Sequence, residues 1–325
     1  MAIAVQLREE AHGINPGSKS GLKTFSIKEL EELCEVKAHT IRIWETRYGV
    51  PLPGRHSSGN RFYSIDELEK TLQICLLTRY GYKISKLVDL SNEELCQKAG
   101  KLFQLEAQEE MVINDLIVCM YRMNIECFES MLDKCFGQWK VEDVIHRIIF
   151  PFLQKAGLLF EGKKLIEEHL VVTIVRKKLL NSIERLQNRD NSGSRCVLFL
   201  CGVQQLDLFL LYAYFRLKAN GHQVLYFGND VTLKNLVEIN SMYKPAYLLT
   251  YQPKKHPVPL NSYLELMKNG PTEARLILAN PDHSEKLSLS NENIDDVYYE
   301  NVWSYFDKQQ NGITMISKTF QPIHP

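Results

Sequence analysis

After residue 194 the sequence becomes a series of short, continuously apolar segments separated by stretches long enough to form helices. These segments read "RCVLFL", "QVLYFG", "AYLLTY" and "RLILAN". A strand that is apolar at every position, rather than at every second one, is buried on both of its faces. Such strands alternating with helices form a parallel sheet covered by helices. We therefore predict an α/β domain of the flavodoxin-like type over residues 194–325.

The preceding segment has a different period. From about residue 104 to 187, apolar residues recur every three or four positions without strand-like alternation. Breaks in the pattern fall near Asn124, at 137–140 and at 157–163. This pattern predicts four helices, and we place a four-helix bundle at residues 100–190.

The first part of the chain has short helices separated by turns. Residues 1–21 lack an apolar core and are expected to form a flexible lead-in. In residues 22–92, "SIKE" from Ser26 and "SIDE" from Ser64 fit the capping box, in which a serine oxygen and a glutamate satisfy the free amides at a helix start. We expect a helix to begin at each box and the segment 22–92 to form a separate domain.

Composition limits the classes of partner. Lys plus Arg and Asp plus Glu both total 39 in the 325 residues, so any attraction to an anionic polymer must be local. The apolar runs are far shorter than the roughly 20 residues that cross a bilayer, which predicts a cytoplasmic protein without a membrane partner. Eight cysteines without CxxC spacing are expected to be reduced thiols packed in cores rather than disulfides or zinc ligands.

One such local attraction lies between Lys37 and Tyr63. A helix over residues 39–48 would place Ile41, Trp44 and Tyr48 on an inner face and His39, Arg42 and Thr46 on an outer one. The following "PLPGRHSSGNRFY" has turn residues in its middle and fits a two-stranded wing. The whole segment has one acid, Glu45, against five basic residues: Lys37, Arg42, Arg47, Arg55 and Arg61. An anionic polymer is expected to bind here.

These residues resemble the winged helix-turn-helix of MerR-type transcription regulators. The resemblance lies in "TIRIWETRYG", in the following "PGR…GNRFYS…EL", and in "YGYKISKL", where the family has a glycine-containing hinge between two helices. It implies that Arg42 enters the major groove beside His39 and Thr40, and that Arg47 and Tyr48 hold phosphates. It also implies that the wing approaches the backbone through Arg55, Arg61 and Tyr63. As aromatic residues at helix-face spacing, Trp44 and Tyr63 also fit the core.

The order of domains is similar to the cobalamin-dependent, light-sensing branch of that family, the CarH and LitR type. In that branch the bundle ends in a tryptophan, then a glycine, then Glu-His, and caps adenosylcobalamin. Here "AGLLFEGKKLIEEHLVV" keeps Gly162, Glu168 and His169, while Leu158 or Leu159 stands at the tryptophan position.

The sheet domain departs further from this branch. The branch carries Glu-x-His-x-x-Gly after the first strand, because imidazole can ligate cobalt. The aligned residues here are Gly202, Gln204 and Asp207, so an amide stands where the ligand should be. Ala279 and Asn280 replace two glycines beside the nucleotide tail, although Thr250 could supply a hydroxyl. We expect no cobalamin; if one were bound, the contacting residues would be Gln204, Asp207, Thr250, Glu168 and His169.

The sequence thus predicts a DNA-binding transcription regulator that forms a homodimer or larger homo-oligomer, because one winged domain reads a single half-site. RNA polymerase is a further partner that the resemblance allows. We expect no enzymatic activity, no catalytic residues and no metal site, since no P-loop, G-x-G-x-x-G or paired metal-binding histidine motif occurs. Two alternatives stay open: an adenosylcobalamin-dependent, light-responsive repressor, and a corrinoid-carrier subunit of a methyltransferase.

Overall fold

The computed structural model describes residues 23–57, 59–157, 166–186, 193–200, 207–251, 274–280 and 294–298, with the single positions 262 and 302. It divides into two compact units, Met1–Lys178 and Leu179–Pro325. The predicted lead-in, residues 1–21, lies outside the described residues. Within the described residues, no helix has the length and apolarity that a bilayer crossing requires.

The first unit begins with four helices and a small antiparallel hairpin. In chain order these are α1 (Ile27–Cys34), α2 (Ala38–Tyr48), β1 (Gly54–Arg55), β2 (Arg61–Phe62), α3 (Ile65–Arg79) and α4 (Asn92–Ala99). Next to the hairpin, Phe25 and Tyr63 form an isolated antiparallel bridge. The predicted two-stranded wing is therefore present.

Serine caps set two of the helix starts, with one difference from the prediction. Ser26 and Glu29 form the full capping box at α1. At α3, Ser64 accepts from the Glu67 amide as predicted. The Glu67 carboxylate, however, accepts the Leu52 amide at 2.7 Å instead of reaching back to Ser64. It thereby holds the turn after α2 against the start of α3.

The four predicted bundle helices are observed, and the third of them is interrupted. They are α5 (Leu105–Tyr121), α6 (Ile125–Gln138), then α7 (Val141–Val144) and α8 (Phe150–Lys155), joined by a π-helical turn at Ile145–Ile149, and α9 (Ile166–Glu184). The π-helical turn immediately precedes α8, whose second residue is Pro151. Because proline has no amide hydrogen to donate, the regular bonding pattern cannot continue through it.

The winged segment and the bundle share one hydrophobic core. A single buried cluster includes Ile74 and Leu77 of α3, Leu95 of α4, and Ala107 and Met111 of α5. The sequence pattern suggested separate domains at 22–92 and 100–190, whereas the core runs across this boundary. The half-buried Trp44 packs against the same cluster, so the prediction that this aromatic belongs to the core is confirmed.

Two of the cysteines are close neighbours. Cys119 of α5 and Cys127 of α6 have their Cα atoms 6.2 Å apart, a separation that a disulfide would permit. The other described cysteines are free, and four of them are buried: Cys34, Cys75, Cys135 and Cys196. Burial raises the pKa of Cys135 and of Cys196 to about 12.

The second unit contains a five-stranded, all-parallel sheet. Its elements are β3 (Arg195–Phe199), α10 (Leu208–Ala219), β4 (Gln223–Gly228), α11 (Leu233–Tyr243), β5 (Tyr247–Tyr251), β6 (Arg275–Asn280) and β7 (Ile294–Tyr298). The strands lie side by side in the order β4-β3-β5-β6-β7. This is the doubly wound, flavodoxin-like order. Successive strands are added towards one edge of the sheet from β3 to β4, and towards the other edge from β5 onward. The predicted fold class is therefore confirmed.

Candidate functional site

The outward face of α2 carries the basic side chains that the sequence predicted. Ile41 is buried, whereas His39, Arg42 and Thr46 are exposed and Thr40 is half-buried. Arg47 is exposed and Tyr48 is half-buried near the helix end, where Gly49 adopts a left-handed conformation (φ 68°) that terminates the helix. The predicted division of this helix into two faces is confirmed.

Arg42 and Arg47 are available to an incoming anion. Among the residues that the structure describes, neither guanidinium forms an ion pair or a hydrogen bond with another side chain. The Thr46 hydroxyl donates to the Arg42 carbonyl at 2.9 Å, so this threonine is partly satisfied by its own helix. Two unpaired cations on one exposed helix suit phosphate or base contacts.

The wing depends on a close approach of two residues. Gly54 pairs with Phe62 across the hairpin, and Arg55 pairs with Arg61. A β-carbon at position 54 would overlap the Phe62 ring, so any residue other than glycine would require the ring to move. Both arginines are exposed, and Arg55 donates weakly to the Gly59 carbonyl at 3.5 Å. The hairpin therefore presents Arg55 and Arg61 at its surface.

Tyr63 does not lie on the surface. Its side chain is 0% exposed, which contradicts the prediction that it contacts the DNA backbone. Backbone pairing with Phe25, at 2.9 and 2.8 Å, draws Tyr63 into the core beneath the wing. Its hydroxyl donates to Glu45, and burial together with this bond raises the pKa of the phenol. Tyr63 therefore remains a protonated internal donor.

The sequence pattern did not identify the lysines that follow α3 as candidates for DNA contact. Gly81 takes a left-handed conformation (φ 90°), and a short 3-10 turn follows at Ile84–Lys86. Lys83 and Lys86 are both exposed on this turn. The segment "YGYKISKL" resembles the hinge of the family, and the two lysines within it are the signal of charge that the sequence offers.

The N-terminal segment of the chain is similar to known proteins. Residues 25–94 match the model of the MerR HTH family regulatory protein. The HTH-type transcriptional repressor CarH of Myxococcus xanthus is 26% identical over 223 residues, which are 66% of this chain and 74% of that protein. The chain therefore carries a MerR-type helix-turn-helix segment.

Two other relatives agree with this assignment. The HTH-type transcriptional repressor CarA of Myxococcus xanthus is 22% identical and covers 64% of this chain and 69% of its own length. The HTH-type transcriptional regulator MlrA of Escherichia coli (strain K12) is 31% identical over 77 residues, which are 23% of this chain and 32% of that regulator. The chain is thus a DNA-binding transcription regulator with a MerR-type helix-turn-helix segment.

A solved structure resembles part of this regulator more loosely. The Methanosarcina barkeri monomethylamine corrinoid protein superposes with a TM-score of 0.46 at 13% identity, covering 61% of this chain and 98% of that one. A likeness at this level carries no information about function.

In the second unit, three polar residues lie at the carboxyl edge of the sheet, where doubly wound folds bind ligands. Asp207 is 6% exposed and immediately precedes α10. The Tyr226 hydroxyl donates to its carboxylate at 3.4 Å, and the Tyr226 ring stacks on Tyr214. Thr250, near the end of β5, is 1% exposed, and its hydroxyl has no hydrogen-bond partner among the residues that the structure describes.

Only some of the remaining candidate ligand residues lie within the described part of the chain. Gly202, Gln204 and the Leu158–Leu159 pair lie outside the described residues, as does the side chain of Glu168. His169 is exposed on α9, and its carbonyl accepts from the Thr173 hydroxyl. Ala279 is fully buried on β6 and pairs with Tyr251 of β5. Within the described part of the chain, no three His, Cys, Asp or Glu side chains are grouped to hold a metal ion.

Proposed function

We propose that this chain binds a two-half-site operator in double-stranded DNA as a homodimer or larger homo-oligomer. It acts in the cytoplasm and catalyses no reaction. The single observation that carries this proposal is the outer face of α2, where Arg42 and Arg47 are exposed and unpaired among the described residues. In a chain with equal numbers of basic and acidic residues, such a face supplies the local positive charge that DNA binding needs.

The residues divide into two roles. Arg42 is placed to read a base in the major groove, with His39 and Thr40 beside it. Arg47 and Tyr48 at the end of α2, and Arg55 and Arg61 on the wing, are placed to hold phosphates. The exposed Lys83 and Lys86 extend this basic surface beyond the wing, as additional phosphate contacts. Tyr63 has no direct role, because its side chain is buried.

Binding to a duplex that the parent protein selects from a random library tests these roles. Arg42→Ala is expected to weaken specific binding by about 1 to 3 kcal/mol, because a bidentate contact with the correct base is lost. Arg61→Ala should weaken binding to the selected duplex more than to a shuffled one, because the wing meets a fixed phosphate only when α2 is seated on its site, and it should lower the slope of log affinity against log salt by about 1. Both are measured by electrophoretic mobility shift over a series of salt concentrations.

The matched control is Arg185→Ala, which removes an exposed cation beyond the end of α9. It should bind the selected duplex like the parent. If Arg42→Ala and Arg61→Ala also bind like the parent, the proposed contact surface is wrong.

We propose further that the α/β unit does not bind cobalamin through a protein ligand to cobalt. Support comes from the donor set. Among the described residues of this unit the one imidazole is His222, which precedes β4 at the opposite, amino edge of the sheet. His222 is 5% exposed, and burial lowers its pKa. At the ligand position of the related branch the sequence has Gln204, a poor cobalt ligand. The unit would then serve oligomerisation or another signal.

Incubation with adenosylcobalamin in the dark, followed by gel filtration, tests the loss of this cofactor. We expect the protein fraction to elute without the visible absorption of a corrin. Gln204→His provides a second measurement, because imidazole is the ligand type that cobalt accepts. A corrin spectrum that co-elutes with the parent protein would support the light-responsive alternative and overturn this proposal.

A further inference from the structure

Glu45 is the single acid in the basic segment from Lys37 to Tyr63. A carboxylate within a surface that attracts phosphates weakens the attraction, so its position calls for a physical reason. The Glu45 side chain is 9% exposed although it lies on the DNA-reading helix α2. The carboxylate is therefore placed to contact protein groups rather than solvent.

The two carboxylate oxygens of Glu45 have different partners. Oε1 accepts a hydrogen bond from the buried Tyr63 hydroxyl. Oε2 lies 3.4 Å from Nε of Arg61, whose side chain is 43% exposed. Within the part of the chain that the structure describes, Arg61 forms no other ion pair or hydrogen bond with its side chain. Its two terminal amino groups therefore remain available to an anion.

Contacts with the core hold Tyr63 in place. Its backbone exchanges two hydrogen bonds with Phe25. The Phe25 ring meets Tyr121 of α5 edge-on at a centroid separation of 4.9 Å. The Tyr63 hydroxyl is thus a fixed donor, and it fixes the carboxylate that holds Arg61.

We propose that Glu45 is a positioning residue that orients the guanidinium of Arg61 towards the DNA backbone and so couples the wing to the reading helix. The inference rests on the proposed function, because it concerns how that DNA surface is organised. Holding Nε from the protein side restricts a long side chain before DNA arrives. Less conformational entropy is then lost when Arg61 meets a phosphate.

Glu45→Gln separates this role from simple charge. The amide oxygen can still accept from Tyr63, whereas the ion pair with Arg61 is lost. Removing a negative charge should leave affinity for a shuffled duplex unchanged or slightly higher. Binding to the selected duplex should weaken, because Arg61 must now be ordered on binding. We expect the ratio of selected to shuffled affinity to fall about three- to tenfold, the factor associated with immobilising one such side chain.

A double variant tests whether Glu45 acts through Arg61. If it does, Glu45→Gln combined with Arg61→Ala should show the same affinity ratio as Arg61→Ala alone, within about twofold. If the role of Glu45 were purely structural, the double variant would lower the affinity ratio by the product of the two single-variant factors. This result would overturn the proposal. Glu126→Gln, which removes an exposed carboxylate from α6, is the matched control and should keep the parent ratio.

Folding and the underlying function are checked separately. The thermal midpoint of Glu45→Gln should match that of the parent. If the variant does not fold, Tyr63→Phe replaces it, because this change frees the carboxylate without removing its charge and should lower the ratio by a smaller factor. A parent protein that selects no duplex contradicts the proposed function. If binding by the parent depends on Arg42 but Glu45→Gln, or Tyr63→Phe in its place, keeps the parent affinity ratio, only the proposed role of Glu45 is contradicted.

Discussion

The contact of Gly54 with the Phe62 ring makes a sharp prediction for a single residue. In Gly54→Ala the added methyl would overlap that ring, and displacing the ring should cost about 1 to 3 kcal/mol locally. Each wing strand has only two residues, so the damage should fall on the wing and its arginines. We expect DNA affinity to drop several-fold in a mobility shift assay, while the helical circular dichroism signal is retained.

Gly137→Ala is the control for this substitution. A methyl at position 137, in α6, meets no atom within 4 Å, and alanine favours a helix over glycine by up to about 1 kcal/mol. This variant should be as stable as the parent or more so, with unchanged DNA affinity. Equal losses of affinity in both variants would show that the wing contact is unimportant.

The positions of single residues were predictable from the sequence where a local period decides them. Ile41 is buried and Arg42 exposed because both lie on one regular helix, α2. Tyr63 could not be placed with the same rule. Its burial depends on pairing with Phe25, which precedes α1 and is distant along the chain. The sequence argument already allowed this aromatic a place in the core, while the family pattern suggested a contact with DNA.

Arg79 connects three helices of the first unit. Its guanidinium lies 2.9 Å from Glu35 and 2.5 Å from Glu110, and it donates to the Cys34 carbonyl at 2.9 Å. These partners lie at the end of α1 and on α5. Arg79→Met keeps most of the stem and removes these contacts. We expect a loss of about 1 to 2 kcal/mol in the free energy of unfolding, measured with denaturant.

The matched control for Arg79 is Arg147, which pairs with Glu109 at 2.8 Å and Asp143 at 3.6 Å. Its side chain is 45% exposed, and exposed pairs contribute about 0 to 1 kcal/mol. Arg147→Met should therefore destabilise the protein less than Arg79→Met. A larger effect at Arg147 would mean that the junction at Arg79 contributes little.

Most helices were predictable as separate elements because caps and apolar periods are local signals. The serine caps at Ser26 and Ser64 and the break near Asn124 are all present in the structure. The joining of elements was not predictable in the same way. Leu77 of α3 and Met111 of α5 lie in one cluster, yet each fits equally well the core of its own segment. Periodicity identifies a buried face without identifying its partner.

At the scale of the whole molecule, the parallel sheet followed from strands that are apolar throughout. Burial on both faces requires helices on both sides, which leaves few topologies. The ligand of the second unit could not be predicted in this way, because a sheet of this type serves many functions. There, individual side chains decide the chemistry. Asp207 and Thr250 are buried polar residues. Which ligand could contact them depends on side chains outside the strands.

The shared core of α3, α4 and α5 has a consequence for genetics. The DNA-reading segment does not end where its own helices end, because Ala107 and Met111 complete its interior. A cavity at Met111 would cost about 2 to 5 kcal/mol, which is a large part of the stability of an ordinary domain. A screen for alleles that fail to regulate would therefore recover substitutions in the bundle alongside those in the reading helix. Such alleles would be temperature-sensitive and could be rescued by stabilising changes elsewhere in the same unit.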